Sequence, residues 1–177
     1  GTGAISTVPA LWELGLNPII EVEQSKQDPE FPTVESPNPE NAEALKKGIT
    51  LARKTGAVAV LATDPDSDRM GVAILEDKKV ELLNGNVIGA MLAEYRLSKL
   101  KEYGVIPKTG SSQAAIIKTY VTSPLVDRIA EGHGIKCINT LTGFKWTGQK
   151  IRRYERKLMN AVLENEGIGL NYDETDY

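Results

Sequence analysis

The chain has 177 residues, 41% hydrophobic and 25% charged, enough to bury a core and too apolar for disorder throughout. Lys and Arg number 21 against 24 Asp and Glu, a net charge of −3 without the basic excess of a nucleic-acid-binding module. One cysteine, Cys137, and one histidine, His133, exclude a disulfide framework, a Cys-based zinc site and a multi-histidine metal site. No apolar run nears the ~20 residues that span a bilayer, and no signal-peptide pattern opens the chain. A soluble cytoplasmic α/β protein is expected, and the absence of an initiator Met reads as an excised piece.

Residues 5–14 pattern as a helix, with Pro9 tolerated only in the first turn and Gly15 as its stop. Residues 17–22 read as a short strand through Ile19 and Ile20. Four prolines between Gln24 and Pro39 mark a long loop. Asn38 is a plausible N-cap, with Pro39 at the first helical position and Glu40 complementing the dipole. Leu45, Ile49 and Ala52 share one face of that helix, which Gly56 ends. The unbroken run Ala57-Val58-Ala59-Val60-Leu61-Ala62 reads as a strand buried on both faces. Residues 70–75 and 79–83 flank Glu76-Asp77-Lys78 as a hairpin.

A second α/β unit starts at Asn84. Ile88, Met91, Leu92 and Tyr95 mark a helix, and residues 116–121 a strand. Ser123 as N-cap and Pro124 at the first position open a helix running to Ala130, closed near Gly132 and Gly134. Residues 135–138 form another strand, and Ile151, Tyr154 and Leu158 place a helix after Thr147. Two units, 1–83 and 84–177, follow.

The strongest chemical signal is Thr63-Asp64-Pro65-Asp66-Ser67-Asp68-Arg69. Three carboxylates at alternate positions repel one another, and a divalent cation is the usual remedy. The loop follows directly on an apolar strand, and open α/β sheets bind ligands at the carboxyl ends of their strands. Oxygen-only ligation by Asp64, Asp66 and Asp68 favours Mg²⁺ or a similar hard cation over Zn²⁺. The planar guanidinium of Arg69 suits a phosphate oxygen. The plain alternative is a solvated acidic turn; the strand before the loop and the arginine after it favour function. An EF-hand would need Gly and Glu at its sixth and twelfth positions, where Arg69 and Leu75 stand. A haloacid-dehalogenase-type phosphatase would need Thr or Val where Asp68 or Met70 stands.

The loop resembles the metal loop of the α-D-phosphohexomutases, the phosphoglucomutase and phosphomannomutase superfamily. Gly1-Thr2-Gly3, Asp28 with Phe31-Pro32, Pro37-Asn38-Pro39-Glu40, Leu83-Asn84-Gly85-Asn86 with Ile88-Gly89, Lys118-Thr119 with Val121-Thr122-Ser123, and Thr140-Leu141-Thr142-Gly143-Phe144-Lys145-Trp146 resemble further segments in order. The Phe-Lys-Trp version looks like the phosphoglucomutase and phosphopentomutase branch. The resemblance implies two related three-layer α/β units, each a mixed sheet with flanking helices, from the middle of a four-domain enzyme. It also implies reversible phosphate transfer between the 1- and 6-hydroxyls of a hexose phosphate through a bisphosphorylated sugar. In that reading Asp64, Asp66 and Asp68 hold Mg²⁺, Arg69 steadies the phosphoryl group, and Thr142, Gly143 and Lys145 face the sugar phosphate. The partners implied are that substrate and the remaining domains of the parent, with no nucleic acid and no membrane. The family's phosphoserine loop, its sugar-reading loop and its fourth domain have no counterpart in this sequence, so the 177-residue chain alone is expected to be inactive. Phosphomannomutase or phosphopentomutase specificity, or a non-catalytic metal-binding module, are the alternatives.

Other residues have plainer readings. Gly1-Thr2-Gly3 reads as a tight turn or a phosphate cradle, and His133 as an exposed residue at a helix C-terminus. Cys137 reads as core, and Phe144 and Trp146 as packing under a loop. Arg152, Arg153, Arg156 and Lys157 read as a solvated face or a phosphate attractor. Residues 163–177 read as an insertion or frayed end.

Overall fold

The computed structural model of the chain describes residues 1–77 and 79–165. These fall into two compact units that divide between Gly89 and Ala90. No helix among the described residues is long and apolar enough to cross a membrane.

In the first unit a 3-10 turn (Thr2–Ala4) precedes helices α1 (Thr7–Glu13), α2 (Val22–Ser25) and α3 (Ala42–Thr55). Strands β1 (Ala59–Thr63), β2 (Met70–Glu76) and β3 (Lys79–Leu83) follow in an antiparallel meander of order β1-β2-β3. The β2–β3 hairpin turns on Asp77, whose φ is 52°, and Lys78 lies outside the described residues. Helix α3 lies on β1 and β2, and Leu45 and Ala52 of the helix and Ala73 of the sheet are buried. Arg53 and Lys54 in its last turn complement the dipole, and Gly56 closes it at φ 73°.

Three expectations fail in this unit. Residues 17–22 form no strand. Glu21 instead caps α2, accepting the Gln24 N–H at 2.7 Å, and a helical turn takes the end of the segment. Helix α3 starts at Ala42, because the Asn38 carboxamide accepts the Glu40 N–H at 3.1 Å and holds a turn there. Pro39 is fully buried in that turn. Strand β1 is not buried on both faces: among the described residues it pairs only with β2, Leu61 is 53% exposed, and Val58 just ahead of the strand is 74% exposed. A cleft of about 990 Å³ opens beside it, with Trp12, Leu16, Ile20 and Val58 in its wall.

The second unit follows along helix α4 (Gly85–Glu102), with strand β4 (Ser111–Thr119), helix α5 (Leu125–Gly132), strand β5 (Ile135–Thr140) and helix α6 (Phe144–Asn165). Strands β4 and β5 pair in parallel, with Lys118 opposite Asn139 and Thr119 opposite Thr140. Leu97, Ile106 and Ile135 form the buried cluster, with Leu100, Ala114, Ile116 and Ile129 packed against it. Helix α5 covers β5.

Here too the boundaries move. Strand β4 starts five positions earlier than its apolar run and stops at Thr119, leaving Tyr120 and Val121 exposed in a turn. Helix α4 buries Ala90 and Leu97, while Met91, Leu92 and Tyr95 of the expected face are exposed. Helix α6 begins at Phe144, so Phe144, Lys145 and Trp146 lie in a helical turn and not a loop. Phe144 is 89% exposed and supports nothing, whereas Trp146 is half-buried. His133 is not exposed: its ring is mostly buried, with Nε2 3.0 Å from Glu94 Oε2. The acidic tail at residues 166–177 lies outside the described residues.

Two outcomes follow from these contacts. A Cβ on Gly71 would stand 1.9 Å from the Pro39 carbonyl oxygen, so Gly71→Ala must push β2 from the turn ahead of α3. Urea unfolding should show a loss of about 1–3 kcal/mol, the usual cost of overpacking. The hydrogen bonds of His133 and then Ser98 hold the Glu94 carboxyl below its ordinary value, against burial. A depressed carboxyl stabilises the fold above its unfolded pKa, near about 4.3, and that contribution disappears as pH falls through the folded value. Glu94→Gln should therefore cost stability at about pH 5.5, and the difference from wild type should shrink toward about pH 3.5 in thermal melts.

Candidate metal centre

Residues 64–69 connect β1 to β2, closed by the Thr63–Met70 pair of the ladder. The acidic loop is thus a hairpin connection between antiparallel strands. Its shape is set by Asp64, which is 3% exposed. The Asp64 Oδ1 accepts the Arg69 backbone N–H at 3.1 Å, and Oδ2 accepts Arg69 Nε at 2.8 Å. The Asp64 carbonyl accepts the Ser67 N–H at 3.1 Å, and Ser67 takes a left-handed φ of 62° to close the turn. Burial pushes the Asp64 carboxyl up, but the Arg69 N–H and guanidinium outweigh it and hold the pKa at about 2. Asp64 is therefore an anion, paired by Arg69.

Asp66 and Asp68 point to solvent. One carboxylate oxygen from each of Asp64, Asp66 and Asp68 lies within 4.8 Å of the others, an all-oxygen set of the kind hard divalent cations take. The crowding is visible in Asp68, whose pKa is raised by its shared hydrogen bond with Asp64 and next by the Asp66 charge. Arg69 stands 3.7 Å from Asp68 and offsets one of the three negative charges, leaving a net negative loop.

The chain's first residues brace this loop. Thr2 donates its N–H to the Pro65 carbonyl at 2.7 Å, and its hydroxyl lies 3.1 Å from Ser67 Oγ. Gly1 is needed for that approach, since a Cβ there would stand 2.5 Å from the Pro65 oxygen. Gly1-Thr2-Gly3 is a turn packed on the acidic loop. The two flanking glycines are the sequence signal for that packing, although nothing in the sequence points to Thr2 and Ser67 as partners.

The remaining candidates form a group of their own in the second unit. Thr142 and Gly143 follow β5 and are exposed, with Gly143 at φ 119° turning the chain into α6. Lys145 is exposed in the first turn of α6, its Nζ 5.2 Å from the Trp146 ring centroid. Beside them, at the ends of β4 and β5, Lys118 joins two residues that sequence patterning did not single out, Asp127 and Asn139. Lys118 Nζ lies 3.0 Å from Asp127 Oδ2 and donates to the Thr122 carbonyl at 3.2 Å. Asn139 Nδ2 donates to Asp127 Oδ1 at 3.3 Å.

Comparison with known proteins agrees with the architecture. The phosphoglucomutase/phosphomannomutase alpha/beta/alpha domain II family matches residues 1–77, and the corresponding domain III family matches residues 84–173. A phosphoglucomutase of Staphylococcus saprophyticus is 36% identical over 156 residues, covering 85% of this chain and 27% of its own length. A phosphoribomutase of Saccharomyces cerevisiae is 39% identical over 142 residues, covering 76% of this chain and 22% of its own. The chain thus spans about a quarter of the curated relatives it matches. A phosphoglucomutase/phosphomannomutase family protein from Burkholderia thailandensis shares the fold, at TM-score 0.66 and 22% identity over 86% of this chain and 30% of that one. The matches to both domains, one after the other, place this chain in the phosphoglucomutase/phosphomannomutase superfamily, of which it carries domains II and III.

Proposed function

We propose that the chain is the central part of a sugar-phosphate mutase. In this reading residues 1–83 are its metal-binding domain and residues 84–177 its sugar-binding domain. The observation that carries the reading is the acidic loop: three carboxylate oxygens within 4.8 Å, beside a guanidinium. Asp64, Asp66 and Asp68 hold Mg²⁺, whose bound charge is that needed to stabilise a phosphoryl group in transfer. Asp64 is already ionised, and its two oxygens are held in place by the Arg69 backbone N–H and guanidinium. The Arg69 guanidinium is more than half exposed, and its terminal nitrogens can take a phosphate oxygen while Nε stays on Asp64.

Thr142 and Gly143 offer a hydroxyl and backbone to the sugar phosphate, and Lys145 offers a point charge to a phosphate. Relatives named phosphoglucomutase and phosphoribomutase support a substrate that is a hexose or pentose phosphate. The overall reaction moves phosphate between two hydroxyls of one sugar through a bisphosphorylated intermediate, an isomerisation in the cytoplasm. The phosphoserine that donates phosphate belongs to another part of the parent.

Asp66→Ala in the complete mutase should lower kcat by about 10²-fold or more, the scale of losing a charge-stabilising element, and leave the melting temperature close to wild type. A kcat within about twofold of wild type would remove the metal role from the loop. The 177-residue chain should show no turnover with glucose 1-phosphate, glucose 1,6-bisphosphate and Mg²⁺. Calorimetric titration with Mg²⁺ should give weak binding, since this ion keeps waters and relies on phosphate oxygens to complete its shell. Low-micromolar binding would favour a non-catalytic metal module.

A further inference from the structure

The Lys118–Asp127 pair is expensive to build. The Lys118 side chain is 7% exposed and the Asp127 side chain 36%, so the cost falls chiefly on the ammonium, which gives up its water for one carboxylate. Asn139 adds to the cost: its Nδ2 serves Asp127, and its Oδ1 is buried without a partner. Asp127 thus gathers Lys118 of β4 and Asn139 of β5 onto the first turn of α5. The position matters. Lys118 is opposite Asn139 at the carboxyl ends of two parallel strands, the edge where α/β sheets receive ligands.

The Lys118 ammonium uses a further donor on the Thr122 carbonyl. That bond fastens the β4–α5 turn, in which the Thr119 and Thr122 hydroxyls lie 3.0 Å apart and the Thr122 N–H donates to the Thr119 carbonyl. The turn is stitched to the start of the 141–143 loop. Tyr120 N–H donates to the Thr140 carbonyl at 3.0 Å, and the Thr140 hydroxyl donates to the Lys118 carbonyl at 3.3 Å. Thr140 is buried, and Thr142 and Gly143 follow directly.

We propose that Asp127 is a positioning residue: by holding Lys118 under the β4–α5 turn, it fixes the turn and the adjoining 141–143 loop in the geometry that receives the sugar phosphate. This rests on the reading of Thr142, Gly143 and Lys145 as substrate-facing. Without the carboxylate, the buried ammonium has reason to leave for solvent, and the Thr122 carbonyl loses its donor. Asp127→Asn keeps the shape and removes the charge, whereas Asp127→Glu keeps the charge and shifts it outward.

The test has two arms. In the 177-residue chain, hydrogen exchange at the Thr122 and Tyr120 amides should quicken at least about tenfold in Asp127→Asn, with the Asp127→Glu chain closer to wild type. In the complete mutase, Asp127→Asn should raise KM for glucose 1-phosphate about tenfold or more with a smaller change in kcat, because a misplaced loop weakens substrate engagement. Asp127→Glu should recover part of that loss. Wild-type exchange at both amides in a folded Asp127→Asn chain would overturn the proposal. So would loosened amides with an unchanged KM, in an enzyme where Lys145→Ala does raise KM. A wild-type KM in Lys145→Ala would instead remove the underlying substrate-facing reading, and the role of Asp127 with it. If Asp127→Asn fails to fold, the Lys118→Met and Asp127→Glu chains supply the same exchange readout. Wild-type turn exchange in Lys118→Met then overturns the proposal.

Discussion

The first unit's chemistry depends on one buried anion. Asp64 sits at the end of β1 with almost no exposure, where an unpaired carboxylate would be strongly disfavoured. It stays charged because Arg69, five residues on, returns both its backbone N–H and its guanidinium to the two oxygens. That double contact bends the chain between β1 and β2 into a fixed loop, and the bend throws Asp66 and Asp68 outward. The acidic cluster is thus a product of one hydrogen-bonded anion and not of three separate preferences. The large apolar cleft along β1 has Asp64 and Pro65 at one end. Its walls are otherwise mostly hydrocarbon.

The clustering of that loop's charged groups was legible in the sequence because its signal is local. Asp64, Asp66, Asp68 and Arg69 are close in the chain, and hairpin closure brings them together with little help from distant residues. The α3 face of Leu45 and Ala52 was legible for the same reason, as were the Gly56 stop and the β2–β3 hairpin. Failures occurred where the decision is tertiary. Ile19 and Ile20 have strand-like composition, but a strand exists only through pairing, and Glu21 offers a local cap to a helical turn instead. Val58 and Leu61 sit in a run that reads as a buried strand, and exposure follows from which neighbours β1 has. Asn38 looks like a helix cap because it can accept a backbone N–H; it does so, but one turn too early to start α3.

His133 and Asp127 show a second limit. Neither stands in a motif. His133 meets Glu94 of α4 across 39 positions of sequence, and Asp127 meets Lys118 and Asn139 on two different strands. A single sequence shows charge and propensity but not which polar side chains share a buried space. The composition alone made a lone histidine at a helix end look solvated, whereas the fold gives it a carboxylate and buries most of its ring.

The two units handle charge in opposite ways, and the difference separates recruiting from holding. In the acidic loop Arg69 offsets only part of the negative charge, and Asp66 and Asp68 remain in water, where an uncompensated carboxylate can persist. Such a loop can take up an external cation, since binding supplies charge that the fold withholds. At the ends of β4 and β5, Lys118 and Asp127 offset each other, and this neutrality lets the ammonium be buried. A closed pair has no deficit for a ligand to fill. What it can do is resist motion, because displacing Asp127 strands the ammonium in a place with little water. An open charge deficit suits a centre that binds, and a closed pair with a buried ammonium suits the framework beside one.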